Sequence, residues 1–216
     1  MAFSLNEIEA MGKRAARGAG LTWGLAEEAG KAARWLTARG LPGPERLAEV
    51  LTRNDGKSYE ELAPVSVEGV WHAPSGWLCP LITGAALSDR ATEIAAGAEF
   101  ELGLTAQPLL LAPYAAGVAK ATGTPIELSW SDVVMVFTPE GVSIEGDPAA
   151  LTVRSADGVR CRCAGNAVVT SQADAPGRTV DAETWSQLNA FAQRTLAPAT
   201  EASRLAGAGA GLSDND

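Results

Sequence analysis

The period of the hydrophobic residues changes at Ile126, and this change constrains the fold more than any other feature. Before it, apolar residues mostly recur every three to four positions, which is typical of amphipathic helices. After it, Ile126, Leu128 and Trp130 alternate with polar residues, which is typical of strands with one buried face. We therefore predict the α+β class, with an N-terminal helical unit, an antiparallel β-meander and a C-terminal helix.

The first fifty residues are predicted to form three helices. Ser4 and Glu7 have the spacing of a capping box, and Pro44 lies where the first turn of the third helix is expected. Small residues dominate the second helix, which indicates close contact with a neighbouring helix. Near the other end of the chain, Asp181 is predicted to cap the C-terminal helix.

A polar break at 54–58 gives the best internal boundary of the chain. A Gly/Ala-rich stretch with an acidic end closes the sequence, and such a composition favours disorder. The sequence therefore predicts three parts, a helical unit at 1–54, an α+β body at 55–205 and a disordered tail at 206–216.

Two turns fix the register of the predicted meander. We expect a three-residue loop at 139–141 and another at 156–158, because these loops keep apolar residues opposite one another. The predicted pairs are Val136 with Ile144, Val153 with Cys161, and Leu151 with Cys163.

The segment 69–89 concentrates rare and reactive residue types, including the single histidine of the chain. Turn residues at 73–76 predict a hairpin within it. If all four form the turn, His72 and Cys79 share one face as diagonal neighbours about 7–8 Å apart. If the loop contains only three residues, the two side chains lie on opposite faces, and the sequence leaves both registers open.

A thiolate beside an imidazole is a nucleophile in many enzymes, so this segment is the candidate site. The candidate catalytic residues are Cys79, His72 and Asp89. The candidate ligand-binding residues are Trp71, Trp77 and Arg90. The alternative, which we favour, is that Cys79 is a small buried hydrophobic residue and that His72 packs on Trp77.

Metal and cofactor sites are not predicted. His72 and Cys79 could join Cys161 and Cys163 in a zinc site, but one residue between the paired cysteines is fewer than the usual two to four. The glycines at 18–20 lie between helices rather than after a strand, so they lack the context of a dinucleotide-binding loop.

Charge and cysteine content limit the partners and the compartment. The net charge of −9 and the absence of basic runs argue against nucleic-acid binding. No apolar run approaches the ~18 residues of a membrane span, and no signal peptide is evident. Three cysteines do not make a disulfide framework, so we expect a reducing cytoplasm.

Two resemblances arise from longer stretches of sequence. The chain resembles an uncharacterised family of unknown function, common in proteobacteria, over most of its length. The stretches that carry this resemblance are 4–9 (SLNEIE), 23–32 (WGLAEEAGKA), 79–80 (CP) and 84–89 (GAALSD). This resemblance implies a bacterial protein and brings no activity with it.

The layout of the N-terminal helices is also similar to that of the type-2 malate/L-lactate dehydrogenase family. That family carries a Ser-His-Gly motif near the second helix break, where this chain has Leu41-Pro42-Gly43-Pro44. Because the histidine is missing, the resemblance implies neither NAD binding nor hydride transfer here.

The residue types and patterns do not identify one activity. We expect a cytoplasmic small-molecule-binding or accessory protein, with a small molecule or a protein as partner and a homo-oligomer as one allowed assembly. The alternative is an enzyme of small-metabolite metabolism that uses a Cys/His pocket. The sequence leaves open whether the protein catalyses a reaction.

Overall fold

The computed structural model describes residues 2–167, 169 and 179–196. The described helices are α1 (Leu5–Gly18), α2 (Trp23–Ala38), α3 (Gly43–Asn54), α4 (Tyr59–Leu62), α5 (Pro80–Ser88), α6 (Ala91–Ala95), α7 (Ala112–Thr122), α8 (Pro148–Leu151) and α9 (Ala182–Gln193), with a 3₁₀ turn at Pro108–Leu111. The described strands are β1 (Val70–Trp71), β2 (Phe100–Leu102), β3 (Thr105–Ala106), β4 (Ile126–Trp130), β5 (Val133–Phe137), β6 (Val142–Glu145), β7 (Ser155–Ala156) and β8 (Val159–Cys163). The predicted α+β class, with N-terminal helices and a C-terminal helix, is confirmed.

The N-terminal helices pack closely because glycines lie at their contacts. The predicted capping box begins α1, where Ser4 N donates to Glu7 Oε2 over 2.8 Å and Glu7 N donates to Ser4 Oγ over 3.3 Å. A Cβ added at Gly30 in α2 would lie 2.6 Å from the backbone oxygen of Glu9 in α1. α9 also packs against α1 and α3, so the C-terminal helix completes this unit.

The main sheet has the strand order β1-β2-β8-β4-β5-β6. Its strands are antiparallel except for the parallel pair β1–β2, so the sheet is mixed. β3 and β7 form a separate antiparallel pair. Strand β4 is buried at Ile126, Leu128 and Trp130, which confirms the alternation read from the sequence. α7 covers β4 and β5.

The predicted register between β5 and β6 is wrong by one residue. Ile144 pairs with Met135 rather than with Val136. The connection contains two residues, because Thr138 N donates to Gly141 O over 2.9 Å and closes a tighter turn than expected. The shorter turn keeps the buried Met135 opposite an apolar residue, so the hydrophobic pattern is satisfied in this register as well.

The predicted hairpin around 156–158 is also wrong. Leu151 ends helix α8, so it does not pair with Cys163, and Val153 does not pair with Cys161. Instead β8 lies between β2 and β4, where Cys161 is paired with Phe100 and Leu128. The partners of β8 are distant in sequence, and turn residues next to the strand give no information about them.

The central segment does not form the predicted hairpin. Trp71 pairs in parallel with Leu102, and Leu78 forms a parallel bridge with Thr105. The residues on both sides of the turn therefore pair with 101–106 rather than with each other. Residues 72–77 form the loop between them. The predicted shared face of His72 and Cys79 depended on strands that pair with each other, so it is lost.

The C-terminal helix begins as predicted, with the Asp181 carboxylate accepting a hydrogen bond from Thr184 N over 2.8 Å. The predicted tail at 206–216 lies outside the described residues. The division at residue 54 stays a prediction. Among the described helices, none combines the length and apolar character that crossing a bilayer requires.

Candidate functional site

A polar cleft of about 670 Å³ lies where α3 meets the start of α9 and the 3₁₀ turn. This volume is in the range of small-molecule sites. All of its lining residues are of charged or polar types. The lining residues are Glu45, Arg46, Glu49, Thr52, Arg53, Gln107, Arg154, Asp181, Glu183, Thr184 and Gln187.

Arg46 is the most constrained cation in this cleft. Its side chain is only 14% exposed. Nη1 donates to Gln107 Oε1 over 3.2 Å and to Thr152 O over 3.0 Å, and Nη2 donates to Glu49 Oε1 over 3.2 Å. The guanidinium is therefore held by three parts of the chain at once, and little side-chain entropy remains to be lost when a ligand binds.

Gln107 connects Arg46 to Glu49 from a strained backbone position. Its φ is 45°, in the left-handed region that a non-glycine residue rarely adopts. Gln107 Nε2 donates to Glu49 Oε2 over 2.5 Å, and Gln107 N donates to Arg154 O over 2.9 Å. Such strain costs of order 1–3 kcal/mol and persists where surrounding contacts determine the conformation, often at functional sites.

Two buried atoms in the lining have no hydrogen-bond partner among the described residues. They are Arg46 Nε and Glu45 Oε2. A buried donor or acceptor without a partner costs about 1–3 kcal/mol. Both atoms are closed to solvent in this structure.

The far side of the cleft is formed by the first turn of α9. The hydroxyl of Thr184 and its backbone amide hold the pKa of Asp181 below its ordinary value. The Asp181 carboxylate is therefore ionised at neutral pH. Both of its oxygens already accept hydrogen bonds from Thr184 as the cap of α9. Glu183 lies beside it, so carboxylates face the cleft from both α3 and α9.

The structure places the residues that the sequence proposed as a catalytic group in different surroundings. His72 is exposed, and its Nδ1 lies 3.3 Å from the backbone oxygen of Val70. Cys79 is fully buried at the start of α5, and burial raises the pKa of its thiol. The thiol is therefore protonated at neutral pH, whereas the imidazole lies at the surface. Asp89 lies at the opposite, C-terminal end of α5 and is exposed.

The predicted ligand-binding residues fall into two groups. Trp71 is buried, with the Arg90 guanidinium 5.6 Å from its ring centroid. Trp77 lies elsewhere and donates from Nε1 to Asn54 Oδ1 over 3.0 Å, with Arg53 over its ring at 4.4 Å. The assignment of catalytic and ligand-binding roles to this segment stays a prediction, which this geometry does not support.

The cysteines pack as buried or half-buried thiols. Burial raises the pKa of Cys161 to about 12, and all three cysteines are free thiols. Within the described part of the chain, no three His, Cys, Asp or Glu side chains lie close enough together to hold a metal ion.

Sequence reasoning missed the cleft because its residues are dispersed along the chain. Glu45, Arg46 and Glu49 form the polar side of an amphipathic helix, a pattern that usually marks a solvent-exposed face. Gln107 and Thr152 lie 61 and 106 positions from Arg46. No local motif connects these positions, so only the tertiary fold identifies them.

Comparison with known proteins finds a family match for the N-terminal part of the chain. Residues 3–79 match a family described as "Protein of unknown function (DUF3726)". This match confirms the expected resemblance to a family of unknown function, over a shorter range than expected. The family description assigns no activity, and none of the curated proteins compared with the chain matches it.

The fold has a weak likeness to the crystal structure of malate dehydrogenase from Entamoeba histolytica. The sequences are 13% identical and the TM-score is 0.46. The likeness covers 79% of this chain and 50% of that chain, so this chain spans about half the length of the enzyme.

Proposed function

We propose that this protein binds a small polar molecule in the cleft between α3 and α9, with an anionic group of the ligand on Arg46. The observation that carries the proposal is the pattern of bonds around the guanidinium. Nη1 has two acceptors and Nη2 has one, so the guanidinium is fixed at the border of the cleft, with 14% of the side chain exposed. A guanidinium fixed in this way suits a carboxylate or phosphate oxygen of a ligand, which would accept a charge-assisted hydrogen bond from it.

The surroundings of Arg46 favour binding over a purely structural ion pair. Glu49 balances the charge of Arg46, with Oε2 lying 3.2 Å from Nη1. A structural pair needs no adjoining volume, but here an open cleft of about 670 Å³ lies beside the pair. Because the guanidinium is already fixed, a ligand bound there pays a smaller ordering cost.

A thermal-shift screen with polar metabolites tests this proposal, because a ligand selective for the native state raises its stability. We expect at least one small carboxylate or phosphate to stabilise the protein. Arg46→Lys, which keeps the charge and removes the planar guanidinium, should weaken binding by roughly tenfold. Arg160→Lys is the matched control, since Arg160 is exposed on β8 and lies outside the cleft.

Two outcomes would contradict the proposal. The first is that no small carboxylate or phosphate stabilises the protein. The second is a ligand whose affinity Arg46→Lys and Arg160→Lys reduce equally. The second outcome would show that binding occurs away from the cleft.

A partner-binding role has one observation in its favour. Trp23 at the start of α2 is 63% exposed, with the Arg17 guanidinium 5.2 Å from its ring centroid. An exposed indole flanked by a cation fits a contact with a second copy or with another protein. Sedimentation of the protein and of Trp23→Ala tests this role, and identical monomer masses would contradict self-association.

We also propose that the protein is bacterial and works in the cytoplasm. Its three free thiols support a reducing compartment. Fractionation of producing cells tests the location.

A further inference from the structure

We infer that two copies of this protein associate by placing Trp23 of one copy in a groove at the β1 edge of the other copy's sheet. This edge groove has a volume of about 370 Å³. Its lining residues are Val67, Gly69, Val70, Glu99, Phe100 and Glu101. The inference rests on the partner-binding role of Trp23 proposed above and is independent of ligand binding in the cleft. It adds the identity of the partner, a second copy of this chain, and the surface that receives the indole.

Exposed apolar side chains are concentrated at the edge groove. Among the described residues, eight large apolar side chains are exposed, and three of these lie within 65–70. Val67 and Val70, which both line the groove, are 36% and 51% exposed. β1, which contains Val70, is an edge strand of the main sheet. A local concentration of exposed apolar residues marks interaction surfaces, whereas scattered single residues do not.

The edge groove also carries negative charge. Glu99 and Glu101 line it, and the exposed Glu68 lies between two lining residues in the sequence. Arg160 offsets part of this charge, because its Nε lies 3.8 Å from Glu99 Oε1. These four side chains together are net negative. An apolar surface bordered by carboxylates suits an aromatic side chain that a cation accompanies.

Trp23, at the start of α2, is such a side chain. Its indole is 63% exposed, and the Arg17 guanidinium lies 5.2 Å from the ring centroid. Arg17 Nη1 donates to the backbone oxygen of Leu21, which has no formal charge, so a positive charge remains beside the indole. Lys13 Nζ lies 5.8 Å from the same centroid, but Glu27 balances its charge over 2.5 Å.

The indole and the edge groove do not meet within one copy. Trp23 is largely exposed and is not among the residues that line the groove. A contact between them therefore requires two copies, and the volume of the groove is large enough for an indole. Opposite charges on the two surfaces favour this pairing and oppose contact between two grooves. Tryptophan and arginine are also enriched among the residues that dominate binding energy at interfaces.

Sedimentation velocity of the full-length protein tests this inference at concentrations from about 1 μM to about 1 mM. We expect the mean mass of the wild type to rise with concentration. Trp23→Ala removes the indole and Val70→Lys adds a cation to the groove, so each should weaken self-association by roughly tenfold or more. Ile144→Lys is the matched control and should associate like the wild type. Ile144 is 39% exposed and lies on β6, the opposite edge strand of the sheet.

Mixing the two variants tests the contact itself. Far-UV circular dichroism first establishes that each variant is folded. Trp23→Ala keeps an intact groove, and Val70→Lys keeps an intact Trp23. An equimolar mixture should therefore form pairs at concentrations where neither variant associates alone.

The outcomes separate this inference from the proposed function. A wild type that stays monomeric up to about 1 mM overturns the inference and leaves ligand binding in the cleft untouched. If Trp23→Ala weakens self-association but Val70→Lys does not, or if Ile144→Lys weakens it equally, the edge groove does not receive the indole. The inference is then overturned, while the partner-binding role of Trp23 stands. A mixture of the two folded variants that forms no pairs overturns the inference as well.

Discussion

Arg46 Nη1 donates to Gln107 Oε1 over 3.2 Å, although 61 positions of sequence separate the two residues. This bond joins the polar face of α3 to the start of the 3₁₀ turn and fixes the guanidinium in the cleft. Gln107 makes it from a left-handed backbone conformation, with φ at 45°. The cleft is therefore an organised feature of the fold, and its parts can be tested separately.

Substitution of Gln107 measures the backbone strain at the cleft. Gln107→Gly and Gln107→Ala both remove the side-chain amide, but only glycine adopts this φ without a steric cost. We expect the glycine variant to have a free energy of unfolding about 1 kcal/mol higher than the alanine variant. Urea unfolding of both variants measures this difference. Equal stability, or a more stable alanine variant, would show that the backbone relaxes at no cost.

Substitution of Gly30 tests the close approach of α1 and α2. A Cβ at this position would lie 2.6 Å from the backbone oxygen of Glu9, which cannot move without shifting α1. Gly30→Ala should therefore lower the free energy of unfolding by about 1–3 kcal/mol. Gly117→Ala is the matched control, because this glycine in α7 has no atom within 4 Å of an added Cβ. The control should stabilise by about 0.5–1 kcal/mol through helix propensity. A Gly30→Ala variant as stable as the wild type in denaturant unfolding would contradict the close approach of α1 and α2.

Thiol labelling tests the accessibility of the cysteine that the sequence proposed as a nucleophile. Cys79 and Cys161 are fully buried, whereas Cys163 is half-buried. We expect a bulky disulfide reagent to label one thiol quickly in the native protein and three after unfolding. Cys163→Ser should abolish the fast phase. Fast labelling that persists in this variant would show that a buried thiol is reachable and would favour the Cys79 hypothesis.

Stability should fall in alkaline solution because buried acids keep their protons in the folded state. Burial raises the pKa of Cys161 from 9.0 to about 12 and also raises those of Cys79 and Tyr114. The unfolded chain releases the Cys161 proton near pH 9, while the folded chain retains it. The contribution of the buried Cys161 thiol to the free energy of unfolding is therefore complete below pH 9. It is lost as the pH rises from 9 towards 12.

Each buried acid that keeps its proton in the folded chain and releases it on unfolding lowers the free energy of unfolding as the pH rises. The decrease is up to about 1.4 kcal/mol per pH unit in this window. Cys161→Ala removes one of them, so its unfolding free energy should fall less steeply with pH than that of the wild type. Chemical denaturation at several pH values between 8 and 10.5 measures both slopes. Identical slopes would show that Cys161 ionises as freely in the folded protein as in the unfolded one.

The helices were more predictable from the sequence than the strand partners because their determinants are local. Ser4 and Glu7 form the expected capping box, and Asp181 caps α9 as predicted. The partners of Trp71 and Cys161 lie about thirty or more positions away, and nearby turn residues carry no information about them. The expected hairpins at 73–76 and 156–158 failed for this reason.

The candidate site was less predictable than the fold. The sequence directed attention to rare residue types around His72 and Cys79, whereas the cleft is built from common charged residues. Arg46 acquires its role from contacts with Gln107 and Thr152, which only the folded chain brings together. Glycine marks most of the other positive-φ positions among the described residues, whereas the left-handed conformation of Gln107 has no such marker in the sequence.

An NMR titration that observes the Arg46 Nε–H and the Gln107 side-chain amide tests directly whether a ligand binds in the cleft. The probe is the tightest-binding ligand from the thermal-shift screen. We predict saturable shifts of both signals at the ligand concentration that stabilises the protein, with the Arg160 Nε–H unchanged. Saturable binding that leaves the Arg46 and Gln107 signals unmoved would contradict ligand binding in the cleft.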